Sequence, residues 1–299
     1  MLILEVTMRS RIIFIFLTFL FSVNLLAKGR EFKGPIRVDF DDLAQHDEAL
    51  VYLPSDYDED NNYPLIISLH GLGANAYIQN TIFNFKEFIT KRQFILVVPE
   101  GIVGMGGLRY WNATDFCCGK KQRTKTDDVK YITSIIEKMS DEFSIDPKKV
   151  HLFGHSNGGF MANRMACEAP HLFKSFVSVA GTTFLNPTKC KKDAPLSMLH
   201  IHGTVDNIVR YNGAKGMYPG AKETLYRWVE RNNCKGEAKE QENKVFYYKP
   251  YKKHFLTKEE NWQKCDKKTK VSLWTVENMS HMMRVNGPYL EKILDFFFD

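Results

Sequence analysis

The chain has 299 residues, 44% hydrophobic and 25% charged, enough to bury one sizeable core and too apolar for a disordered tail or a fibre. Its 41 Lys and Arg against 35 Asp and Glu leave a net charge of +6, too mild and mixed to mark nucleic acid as a partner. No period of about 20 to 50 residues recurs, which excludes solenoids and propellers.

At the N-terminus, Arg9 and Arg11 precede the apolar run 12–27, after which Lys28-Gly29-Arg30 turns polar. This predicts a secretory signal, with Met8 as an alternative start and cleavage after Ala27, so that residues 28–299 work in an extracellular or periplasmic space. The competing reading is a retained anchor, although the 16-residue run falls short of the roughly 20 residues of a spanning helix. With the signal cleaved, no stable membrane insertion is expected.

Strands are predicted at Glu48–Leu53, Leu65–Leu69, Phe94–Val98, Val150–Phe153, Phe176–Ala180, Leu196–Ile201 and Val271–Val276, several of them near-continuously apolar, as strands covered on both faces are. Helical periodicity falls at Asn75–Lys91, Asp127–Phe143, Asn157–Glu168, Lys222–Asn232 and Pro288–Phe298. Asp127 is placed to cap its helix, and Pro288 suits a first turn. The alternation predicts an α/β fold: a mostly parallel, doubly wound sheet with helices on both faces.

The segment Lys235–Lys270 differs, with 11 Lys, no Arg and 6 acids. It carries a net +5, which accounts for the whole excess charge of residues 28–299. It reads as a solvated, inserted surface lobe, with contact to an anionic envelope or polymer as the alternative. All six cysteines lie beyond the signal (Cys117, Cys118, Cys167, Cys190, Cys234, Cys265). Without C-x₂-C spacing, they predict disulfides and no metal site. Cys234 and Cys265 bracket the lysine-rich segment and are the preferred pair. The adjacent Cys117 and Cys118 are expected to take two different partners, with a strained vicinal bridge as the alternative.

Gly154-His155-Ser156-Asn157-Gly158 joins the strand ending at Phe153 to the helix beginning at Asn157. A serine on such a sharp turn projects its hydroxyl, the flanking glycines giving the backbone room to bend. A hydroxyl is a poor nucleophile until a base takes its proton and an acid orients that base. Where a serine sits on this kind of elbow, its partners follow in the order acid, then histidine.

Asp206 follows the strand Leu196–Ile201 and His281 follows Val271–Val276, each in the loop at a strand's carboxyl end. Of the other candidates, Asp193 precedes its strand, while Asp266 and His254 lie in the lysine-rich segment. The N–H of Asn157 and that of Leu72, in the turn His70-Gly71-Leu72-Gly73, are the expected oxyanion donors.

Four ordered motifs carry a resemblance: His70-Gly71-Leu72; Trp111-Asn112-Ala113 with Cys117-Cys118-Gly119; Gly154-His155-Ser156-Asn157-Gly158-Gly159; and His202-Gly203-Thr204-Val205-Asp206. Together they resemble the polyhydroxybutyrate depolymerase and feruloyl esterase family of α/β-hydrolases, from about Glu48 to the C-terminus. The resemblance implies a single α/β-hydrolase domain that cleaves carboxylic esters through Ser156, Asp206 and His281 without a cofactor. It also implies a pocket-side role for Trp111, for which a core position is the alternative.

One departure is visible. The family shows Gly-His-x-Trp-Pro-Gly around its histidine, where this chain has Ser280-His281-Met282-Met283-Arg284. Met283 is then expected to replace a flat aromatic wall with a softer one.

The sequence thus reads as a secreted serine esterase. Its candidate substrates are hydroxyalkanoate oligomers, feruloyl or acetyl esters on polysaccharide, and small aryl or alkyl esters, with soluble or loosely associated esters favoured because no Ser/Thr/Pro-rich linker is present. An acyltransferase using the same triad is one alternative, and an inactive extracellular binding protein on the same scaffold is another. The sequons at Asn112 and Asn278 read as chance, since a glycan beside His281 would obstruct the site.

Overall fold

The computed structural model describes residues 34–40, 46–104, 106–117, 126–190, 194–248, 253–283 and 285–299. The predicted signal and Cys118 lie outside them. The branched apolar runs pair into one ten-stranded sheet, in the order β1-β2-β4-β3-β7-β8-β9-β12-β11-β10. Its strands are β1 (Ile36–Val38), β2 (Ala49–Tyr52), β3 (Tyr63–Leu69), β4 (Ile95–Val98), β7 (Ile145–His155), β8 (Ser175–Val179), β9 (Ser197–Gly203), β10 (Lys239–Tyr248), β11 (Lys253–Trp262) and β12 (Val271–Val276). The pairs from β4 through β3, β7, β8 and β9 to β12 are all parallel. A small hairpin of β5 (Ile102–Val103) and β6 (Arg109–Tyr110) stands apart.

Side chains on a strand alternate between faces, and this sorts the apolar residues into two cores. On one face Leu65, Ile67, Leu152, Phe176 and Met198 pack against α3 (Asp128–Glu142), α4 (Asn157–Glu168) and α5 (Ala221–Arg231). On the other, Ile66, Phe153, Val177, Leu199 and Ile201 pack against α1 (Ala76–Ile82), α2 (Ile89–Arg92) and α6 (Gly287–Phe298). Asp127 caps α3 by accepting from Lys130 N–H. No described helix is long and apolar enough to cross a membrane.

The structure corrects three expectations. Asn75–Lys91 is not one helix: α1 stops at Ile82, a 3₁₀ turn follows at Phe85–Phe88, and α2 begins at Ile89. Phe83 and Phe85 are both buried, and residues two apart project from opposite sides of a continuous helix. Burying both requires the break.

Second, Lys235–Lys270 is not a lobe off the sheet. It holds the hairpin β10–β11, which extends the sheet antiparallel beyond β12. Third, Cys167 pairs with Cys190 and Cys234 with Cys265, so none of these four is left over as a separate partner for Cys117 or Cys118.

The Cys234–Cys265 bridge closes a loop with a sequence separation of 31. Replacing both cysteines by serine is expected to lower unfolding free energy by about 3–4 kcal/mol through lost loop constraint. Denaturant titration of the variant against the native protein measures it.

Candidate active site

The carboxyl ends of β7, β9 and β12 share one edge of the sheet, and their exits deliver Ser156, Asp206 and His281 to one place. Ser156 caps α4 with φ 55° and ψ −119°, a left-handed backbone that costs a non-glycine residue about 1–3 kcal/mol. The turn is forced from both sides. A Cβ on Gly154 would lie 2.1 Å from the Gly158 carbonyl oxygen, and one on Gly158 would lie 2.3 Å from that of Leu69. The Ser156 N–H is tied to the Val179 carbonyl at 2.8 Å.

The Ser156 hydroxyl donates to His281 Nε2 at 2.8 Å, and His281 Nδ1–H donates to Asp206 Oδ2 at 2.7 Å. Asp206 Oδ1 accepts from the N–H groups of Ile208 and Val209, both at 2.9 Å. His202 braces the same loop, donating from Nε2 to the Val209 carbonyl at 2.7 Å, with Asp206 Oδ2 3.3 Å away. Burial alone would raise the Asp206 pKa. The bonds from His202 and His281 outweigh it and hold the carboxyl well below the usual carboxylate range.

Asn157 follows Ser156 directly, and Gly71, the residue before Leu72, abuts it. Asn157 is the first residue of α4, so its N–H has no acceptor within the helix. Gly71 abuts the serine, since a Cβ there would stand 3.2 Å from Ser156 Cβ.

His70 holds this turn in place. Its Nε2 accepts from Gly101 N–H at 2.9 Å, and its Nδ1–H donates to the Gly71 carbonyl at 2.8 Å. Because the peptide unit is planar and trans, fixing that carbonyl aims the Leu72 N–H the opposite way.

The two expected pocket residues are placed differently. Trp111 and Met283 are each 0% exposed and give the cleft no surface. Trp111 Nε1 donates to the His70 carbonyl at 2.9 Å. Met283 turns back into the core beside α6. Exposed apolar side chains on the loops that carry the site include Leu72, Val205, Ile208 and Met282, so the adaptable methionine is the one before Met283.

Two further features carried no sequence signal. The Asn157 side chain grips Trp111 at both main-chain groups, accepting from its N–H at 2.6 Å and donating to its carbonyl at 2.9 Å. His46 and Asp128, 82 residues apart, meet at 2.8 Å, and Asp128 also receives the Asn112 N–H. Both hold the Trp111–Asn112 loop against the nucleophile turn. A contact between distant polar residues leaves no local pattern to read.

Burial pushes His70 and His155 down to about 4 and His151 to about 3. These groups stay neutral in the folded protein but take up protons in the unfolded chain near the ordinary 6.5. The unfolded state then binds more protons, so stability falls as pH drops below about 6.5, by roughly 1.4 kcal/mol per pH unit for each histidine. Melting temperature followed from pH 8 to pH 4 is expected to fall steeply over that window, and a flat profile would contradict this reading.

The fold is a mostly parallel α/β sheet that carries Ser156, His281 and Asp206 in one hydrogen-bonded run on a strained serine turn. The Esterase family model, described as "Putative esterase", matches residues 43–276, and the chain belongs to that family. Feruloyl esterase B of Piromyces equi is 27% identical over 204 residues, covering 64% of this chain and 37% of that protein. A bifunctional acetylxylan esterase/xylanase of Neocallimastix patriciarum is 25% identical over 231 residues, covering 77% of this chain and 30% of that protein. The chain thus spans about a third of the length of these relatives. Among solved structures, an acetyl xylan esterase from Aspergillus awamori superposes with a TM-score of 0.62 at 14% identity, over 88% of this chain and 98% of that one.

Proposed function

We propose that the protein is a secreted serine carboxylic-ester hydrolase acting on feruloyl or acetyl esters carried by polysaccharide. The observation that carries the reading is the hydrogen-bonded run Ser156–His281–Asp206 on a strained turn, with Asn157 next in the chain and Gly71 against the serine. Names of the relatives support the choice of ester, and the two disulfides support an oxidising compartment.

Ser156 Oγ attacks the ester carbonyl as His281 Nε2 takes its proton, and the tetrahedral oxyanion is held by Leu72 and Asn157 N–H. Collapse breaks the C–O bond to the alcohol, which leaves with the proton from His281. Water then repeats the sequence on the acyl-enzyme, releasing the carboxylic acid and restoring Ser156. Asp206 keeps the imidazole in the tautomer with Nε2 free to accept.

The test is hydrolysis of methyl ferulate, acetylated xylan, p-nitrophenyl esters and hydroxybutyrate oligomers, with Ser156→Ala alongside and added alcohols in a second set. Turnover of the ferulate or acetyl esters that vanishes in the variant is the expected result. Preference for hydroxybutyrate oligomers would overturn the substrate assignment, and predominant transfer to alcohol would overturn hydrolysis. A folded protein that cleaves nothing and resists a fluorophosphonate probe would overturn the whole reading.

A further inference from the structure

The sheet edge opposite Ser156 is acidic where β3 enters, at Asp56, Asp58, Glu59 and Asp60, and carries lysines from β7 to β12. Strands β7, β8, β9 and β12 all begin there. Registry puts His151 beside Ser175 and Ser175 beside Ser197, while Lys270 N–H donates to Ser197 Oγ. Lys174 immediately precedes this row and Lys149 stands two residues before it, and Lys264, Lys267 and Lys268 lie on the turn that enters β12. Neighbouring strands are about 4.8 Å apart, so Lys149 and Lys174 sit one strand apart, and the lysines entering β12 lie two strands beyond Lys174, across β9.

This row differs from three lysines that meet acids around the hairpin. Lys222, Lys258 and Lys292 are taken up by Glu260, Glu277 and Glu259. Among the described residues, Lys174, Lys264, Lys267, Lys268 and Lys270 form no ion pair, whereas Lys149 meets Asp146 at 3.6 Å. The other acid on these turns, Asp266, accepts from the Asn233 side chain.

The turn is also built. Lys267 and Lys268 both have left-handed backbone, with φ of 51° and 58°, a conformation costly for residues with a Cβ. They are held by the Cys234–Cys265 bridge, by Asp266 N–H on the Asn232 carbonyl, and by the Asn232 side chain on Thr269. Glycine would relieve that strain, and lysine is what stands at both positions.

We propose that this edge is a docking surface for a carboxylate-bearing polysaccharide, holding the protein by the face opposite its cleft. A bilayer fits less well. The exposed apolar residues Leu72, Val205, Ile208 and Met282 border the catalytic edge, and none of the large exposed apolar side chains lies on the lysine turns. Surface-seeking proteins place apolar groups among their cations. The choice of a polysaccharide rests on the hydrolase reading above, while the binding measurement does not.

The experiment is affinity electrophoresis of the purified protein in gels containing polygalacturonate, neutral xylan or no polymer, with sedimentation against phosphatidylglycerol vesicles beside it. Retardation by polygalacturonate alone is expected, disappearing near 1 M salt, where screening shortens to roughly 3 Å. The variant Lys174→Glu/Lys267→Glu/Lys268→Glu should bind about tenfold more weakly or worse, with unchanged melting temperature and unchanged turnover of p-nitrophenyl acetate. Lys264→Gln/Lys268→Gln serves if the triple variant does not fold. Equal mobility in all gels, undiminished binding by the variants, or capture by vesicles instead of polymer would each overturn the proposal. Binding by a protein that hydrolyses no ester would leave the docking surface standing and remove the hydrolase reading.

Discussion

Ser156→Ala is expected to lower kcat on a p-nitrophenyl ester by about 10⁶-fold, with KM changed by less than about tenfold. The hydroxyl is the atom that would bond to the acyl carbon. Removing it leaves His281 with only bulk water to activate and the amides of Leu72 and Asn157 with a weaker nucleophile to assist. Little else changes, because the turn is set by main-chain constraints: the Ser156 N–H on Val179 and the close approach of Gly154 to Gly158. Steady-state kinetics checked by melting temperature reads the effect. A loss of less than about a hundredfold in a folded variant would mean that another group supplies the nucleophile.

Asp206→Asn should cost about 10⁴-fold in kcat. The asparagine oxygen can still accept from Ile208 and Val209, as Asp206 Oδ1 does, so the loop is expected to keep its shape. Its NH₂ group then faces His281 Nδ1, which must turn acceptor. The proton moves to Nε2 and points at Ser156, where it blocks proton transfer. In the unsubstituted protein the carboxyl is held well below the ordinary range, its bonds to His202 and His281 outweighing burial. It therefore stays ionised through mild acid, so protonation of Asp206 is not expected to shape the acid limb of kcat/KM. Parallel pH profiles of both proteins test this, and a limb that follows carboxylate titration would contradict the assignment.

Much of this was legible in the sequence because it depends on local pattern. Val271–Val276 is a strand at the predicted residues, and α4 spans Asn157–Glu168 as read, since a continuous apolar run and a glycine-bounded helix start are both short-range signals. The hairpin β10–β11 was not legible. Its residues carry lysine and glutamate where a strand signal needs alternation, and it is a strand because β12 offers an edge to pair with.

The positions of Trp111 and Met283 depended on which way a loop turns, something residue type does not encode. The Asn157 side chain acts through main-chain groups of Trp111, 46 residues away, and His202 through the carbonyl of Val209, seven residues on. Nothing in the spacing of the motifs announces them.

The hairpin has one more consequence, for the lifetime of the site. Without β10 and β11, the strand leading to His281 would be the outermost of the sheet, free to peel from one side. With β11 in place, β12 is bonded to β9 on one flank and β11 on the other, and Glu277 N–H is fastened to Leu256 just before the histidine loop. Amide hydrogens of Leu273 through Val276 should then exchange with solvent only when the whole molecule opens. Heat inactivation would coincide with global unfolding instead of running ahead of it.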